Sequence, residues 1–100
     1  MGNKFTLFGT VTAAGSGHIQ GIVVSPAGNS SSAVSAVSGP ASGTFYINDG
    51  GINGLNNGSG AAYGVQGGTG TIIIWNTHIT SNATGGGNGY GIAEGAGSIY

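Results

Sequence analysis

Gly70-Thr71-Ile72-Ile73-Ile74-Trp75 opens a pattern that recurs at a fixed interval on both sides. Gly43-Thr44-Phe45-Tyr46 precedes it and Gly97-Ser98-Ile99-Tyr100 follows it, so the three openings are evenly spaced along the chain. Laid over one another without a gap, residues 43–73 and 70–100 are identical at eleven of 31 positions. Glycines make up part of that score. The pairs Ile47/Ile74, Ile52/Ile79, Ile72/Ile99 and Tyr63/Tyr90 do not depend on glycine richness. A fixed period between 20 and 50 residues marks a chain built of stacked coils, in which each unit buries its apolar face only against its neighbours. The fold class expected is all-β, a parallel β-helix with coils of about 27 residues.

Composition narrows what such a solenoid can do. Lys4, Asp49 and Glu94 are the only charged side chains among 100 residues. A chain without a basic patch has no means of neutralising phosphates, so nucleic acid is not an expected partner. Near-zero charge also removes the repulsion that keeps soluble proteins apart. There is no cysteine for a disulfide or a thiolate metal site. The longest strongly apolar run, Ile72 to Trp75, is too short to span a bilayer. Residues 1–15 hold one lysine and no continuous apolar core, so they do not read as a signal peptide.

Along the chain, residues 1–14 form an amino-terminal segment whose residues 4–12 alternate between apolar and polar. They suggest one half-buried strand with Phe5, Leu7 and Val11 on one side. Met1-Gly2-Asn3-Lys4-Phe5-Thr6 also fits the short M-G-x-x-x-[ST] myristoylation pattern, for which nothing else in the chain argues. Residues 15–42, rich in serine and alanine, fit the repeat frame poorly and read either as a degenerate first coil or as a loop. Residues 43–69 and 70–96 are full coils, and 97–100 begin another. Each full coil should hold a strand near its start (Thr44 to Asn48, Thr71 to Thr77), a short one around Ile52 or Ile79, and a third at Tyr63-Gly64-Val65 or Tyr90-Gly91-Ile92. Glycine, asparagine and serine fill the corners, where positive φ and side-chain-to-backbone bonds are needed.

Strands of adjacent coils pair about 4.8 Å apart, so equivalent residues stack directly. Ile47 over Ile74, Ile52 over Ile79 and Ile72 under Ile99 are expected as interior aliphatic columns. Tyr63 over Tyr90 is expected as an aromatic stack, with Val65 and Ile92 on the same side. Asp49 over Asn76 is expected as a corner ladder. A coil edge without a neighbour is a template for another chain. Two origins for such an edge compete: a piece of a longer solenoid, or subunits stacked end to end, the amino-terminal strand of one covering the last rung of another. Phe5, Leu7, Val11, Ile99 and Tyr100 are the candidate contacts for stacking.

The segment Asn76-Thr77-His78-Ile79-Thr80-Ser81, the glycine run to Gly89, Tyr90-Gly91-Ile92 and Gly95-Ala96-Gly97-Ser98-Ile99 resembles the right-handed β-helix passengers of bacterial autotransporters of the pertactin type. The resemblance covers residues 43–100. It implies a secreted or bacterial cell-surface protein with an adhesive or structural role.

The chemistry-bearing residues are few. A polysaccharide-cleaving site needs two carboxylates flanking one bond. In the repeat frame Glu94 falls at the position of Gly67, far from the column of Asp49, so no catalytic residue is assigned and an enzyme is not expected. His18 and His78 lack a third ligand for zinc. No glycine cluster makes a nucleotide loop, and Gly86-Gly87-Asn88-Gly89 lacks the aspartate of a calcium repeat. No cofactor or metal is expected. Trp75 is the possible ligand contact, since an exposed indole can stack on a sugar. The function expected is a non-enzymatic structural or adhesive solenoid that forms homo-oligomers or filaments, with a surface glycan as a possible partner. Two alternatives are a carbohydrate-binding or carbohydrate-cleaving β-helix fragment of tailspike type, and a β-sandwich filament subunit completed by a donated amino-terminal strand.

Overall fold

The computed structural model describes residues 5–100. Lys4 and the Met1-Gly2 start of the myristoylation pattern lie outside the described residues. Ten strands follow in order: β1 (Phe5–Leu7), β2 (Val11–Thr12), β3 (Gly17–Gln20), β4 (Ile22–Val24), β5 (Val34–Ser38), β6 (Thr44–Asn56), β7 (Ala62–Gln66), β8 (Thr71–Ala83), β9 (Gly89–Ala93) and β10 (Ser98–Ile99). There is no helix among them. Among the described residues every strand pairing is parallel. One sheet runs β1-β4-β6-β8-β10 with β3 also on β6, and the other runs β2-β5-β7-β9. The chain is a β-solenoid of roughly three turns, with coils of about 27 residues.

Each coil has three faces. β3 and the first halves of β6 and β8 make the first, β4 and the second halves of β6 and β8 the second, and β5, β7 and β9 the third. The expected columns are present: Ile47 pairs with Ile74 and Ile52 with Ile79, Ile72 with Ile99, and Tyr63 with Tyr90. Earlier coils extend them. Ile19 precedes Ile47, Val24 precedes Ile52, and Val11, Val37, Val65 and Ile92 form one four-rung column. Val24, Val37, Ile52, Val65 and Ile72 are buried and form the interior with Phe45. Each such side chain contributes about 1.5–3 kcal/mol of transfer free energy.

One open alternative is resolved and three expectations need correction. First, of the two readings of residues 15–42, the coil is the one formed, by β3, β4 and β5. Its register to the next coil pairs Ser38 with Gln66, one residue longer than the register that pairs Thr44 with Thr71. The extra residue therefore lies in the turn between Ser38 and Thr44, which holds the buried Pro40. Second, the first two strands of each later coil are not separate. β6 and β8 continue through a bend at Asp49 (φ 58°) and Asn76 (φ 49°), and Gly21 (φ 70°) holds the equivalent place in the first coil. A residue in the left-handed region turns the chain in one step, and Asp and Asn tolerate it better than other side-chain-bearing residues.

Third, residues 5–12 are not one strand. β1 lies on β4 of the second face and β2 on β5 of the third, so Phe5 and Leu7 do not share a sheet with Val11. Residues 8–10 alone join the partners of Val24 and Val37, which the first coil separates by residues 25–36. Fourth, Tyr63 and Val65 do not point to one side. The register skips Gly64 and Gly91 between paired neighbours, which breaks the alternation: Val65 is buried in the core while Tyr63 lies partly exposed outside it.

The glycines repeated from coil to coil reflect close backbone approach at the corners. A Cβ at Gly85 would lie 2.1 Å from the Gly58 carbonyl oxygen, and one at Gly87 would lie 2.1 Å from that of Gly60. No side chain fits between those rungs.

Candidate functional site

The first face places Ile19, Ile47 and Ile74 toward the interior, so the residues alternating with them point outward. His18 pairs with Tyr46, and Gln20 with Asn48, which in turn pairs with Trp75. Three rings meet there. His18 lies 6.0 Å from Tyr46 and 6.0 Å from Trp75, and Tyr46 meets Trp75 at 6.2 Å and 79°. Tyr46 is 40% exposed and Trp75 45%. The two planes thus form an open corner rather than a closed stack.

Below the rings runs a polar network fixed by the left-handed bend. His18 Nε2 donates to Asn48 Oδ1, and Asn48 Nδ2 donates to Asp49 Oδ2 at 2.8 Å. Gln20 Nε2 reaches the same oxygen at 3.3 Å, and Asn76 Nδ2 donates to Asp49 Oδ1 at 2.7 Å. The corner ladder of Asp49 and Asn76 is therefore formed, and it carries more partners than the repeat frame alone suggested. With Nε2 protonated, a neutral His18 has Nδ1 as an acceptor. Glu94 follows β9 in the other sheet. The described residues hold no group of three or more His, Cys, Asp or Glu positioned around a metal ion. Among the described residues no helix is long and apolar enough to cross a membrane.

Tyr63 and Tyr90 form a second aromatic feature, with ring centres 5.1 Å apart and planes at 16°. It is a ladder rung between coils on the outside of the third face. Thr80 to Asn53 at 3.0 Å and Thr84 to Asn57 at 2.7 Å are further ladder bonds between equivalent corners of adjacent coils.

The third feature is an end of the solenoid. β10 covers the start of β8, while no described strand lies on the outer edges of Thr77–Ala83 and β9. Ile92 occupies the column of Val37 and Val65, which are wholly buried, yet is itself 49% exposed. At the opposite end Phe5 and Phe8 are exposed.

One buried residue gave no sign in the sequence. Asn56 is fully buried. Its Oδ1 accepts from the Ser30 and Gly58 amides, each at 2.9 Å, and its Nδ2 donates to the Ser32 and Ala61 carbonyls at 3.0 and 3.1 Å. Its counterparts are Gly28 and Ala83, so no repeat flags it.

Comparisons with protein-family models, with characterised proteins and with solved structures give no match.

Proposed function

We propose that this chain is a non-enzymatic structural unit that associates with copies of itself through the open edges of its coils, in a secreted or cell-surface assembly. The observation that carries the proposal is Ile92, a core residue by position that lies half in solvent on an unpaired rung. Unpaired parallel strands beside an exposed apolar column supply both hydrogen bonds and burial to an incoming strand. Low net charge opposes such contact little. The extracellular setting rests on the autotransporter-like motifs of residues 43–100 and on a surface rich in glycine, serine and asparagine. Sedimentation velocity over roughly two decades of concentration tests the association by mass action. Sedimentation coefficients that rise with concentration are expected, and a concentration-independent folded monomer contradicts the proposal.

The aromatic corner favours a second activity, contact with a neutral glycan. Tyr46 and Trp75 offer two apolar planes for sugar C–H faces, and His18, Gln20 and the amide network below them offer partners for hydroxyls. Trp75 is the sole tryptophan, so its fluorescence reports the site directly. Titration with a panel of neutral oligosaccharides should give a saturable change for at least one member. Tyr46→Ala should weaken that binding about tenfold. A flat response across the panel, or an unchanged affinity in Tyr46→Ala, removes this activity.

A further inference from the structure

The third face carries a tyrosine pair that neither activity proposed above uses. β7 and β9 are parallel and in register, so Tyr63 and Tyr90 are direct neighbours one rung apart. Their ring centres are 5.1 Å apart and their planes differ by 16°. Tyr90 is exposed and Tyr63 partly so, which leaves both phenols within reach of an oxidant. Ser35 precedes Tyr63 in the column, so on that side Tyr63 has no second phenol beside it.

We propose that Tyr63 and Tyr90 form a site of oxidative cross-linking, at which a peroxidase consuming hydrogen peroxide joins the two rings and fastens the second coil covalently to the third. Each phenol gives up one electron and its hydroxyl proton, which leaves an unpaired electron shared between the oxygen and the ring carbons ortho to it. One ortho carbon of each ring then bonds to the other. The hydrogen on each bonded carbon moves to its own ring oxygen, and both phenols are restored. The two electrons and two protons released reduce one hydrogen peroxide to two waters. The chain therefore loses two hydrogens and gains no other atom.

The ladder holds one ring over the other before oxidation begins. Coupling within the chain then outruns encounters between separate chains in dilute solution, because the partner is already in place. The other tyrosines lack this arrangement. Tyr46 meets His18 at 68° and Trp75 at 79°, edge to face rather than stacked. Tyr46 and Tyr100 lie on either side of Ile73 in the first-face column, two rungs or about 10 Å apart. The chain has no cysteine to consume the oxidant. Oxidation of its one methionine adds oxygen, so a loss of two hydrogens identifies the ring-to-ring bond.

The test treats the dilute folded chain with a peroxidase and limiting hydrogen peroxide, separates the single-chain product under denaturing conditions, and maps it by mass spectrometry after pepsin digestion. The expected product is lighter by two hydrogens, with the Tyr63–Tyr90 link at least about tenfold more abundant than a link between any other two tyrosines. Tyr63→Phe keeps a ring in the stack but has no phenol to oxidise, so with an unchanged circular dichroism spectrum it should not form this product. The linked chain should unfold at a higher urea concentration than the unlinked one, because a covalent closure restricts the unfolded chain. Single chains without the two-hydrogen loss, or a loss that persists in folded Tyr63→Phe, would overturn the site. Equal urea midpoints for linked and unlinked chains would overturn the fastening of the two coils.

Discussion

Replacing Asn56 by alanine should cost about 3–5 kcal/mol of unfolding free energy, because it strands four backbone groups at once. The Ser30 and Gly58 amides lose their acceptor, and the Ser32 and Ala61 carbonyls lose their donor, at a site closed to solvent. A buried group left without a partner costs about 1–3 kcal/mol, and local relaxation recovers part of the total. The side chain ties the corner between β6 and β7 to residues 30–32 of the preceding coil, so its loss loosens two coils together. Asn57→Ala is the matched control. Asn57 is exposed and accepts one bond from Thr84, and its change should stay within about 1 kcal/mol. Urea denaturation at a concentration where the chain is monomeric measures both, and equal midpoints would refute the role given to Asn56.

Ile92→Asp should weaken self-association at least about a hundredfold while leaving the monomer folded. A carboxylate carried into an apolar column at a stacked junction costs several kcal/mol unless it is paired, and about 2.8 kcal/mol already corresponds to a hundredfold in Kd. In the isolated chain position 92 is half in solvent, so the charge stays hydrated there. Val65→Asp, one rung inward in the same column and wholly buried, should instead prevent folding. Analytical ultracentrifugation together with circular dichroism separates the two outcomes. Undiminished association in folded Ile92→Asp would exclude this rung as the contact.

The contrast between these residues shows what the sequence makes legible. Ile47, Ile52, Ile72 and Tyr63 announce themselves because each recurs at the same place in the next coil, and stacking demands similarity in a column. Asn56 is unique to its coil, since a polar residue that satisfies four groups at one corner has no reason to recur. The first coil is hidden by one inserted residue before Thr44. Shifted by that residue, Ile19 meets Ile47 and Val37 meets Val65. The bends escape a pattern of alternation because a single left-handed residue turns the strand without interrupting its pairing, as at Asp49 and Asn76. The aromatic corner was visible in part. Trp75 stands out alone, whereas His18 is brought to it only by the longer register of the first coil, through Tyr46.

The most direct test of the central claim is the coil spacing of the assembled protein, read from fibre diffraction or electron micrographs. Parallel coils stacked through their open edges give a repeat of about 4.8 Å along the assembly axis, with the strands perpendicular to that axis. Strands running along the axis, or assemblies without that repeat, would contradict it.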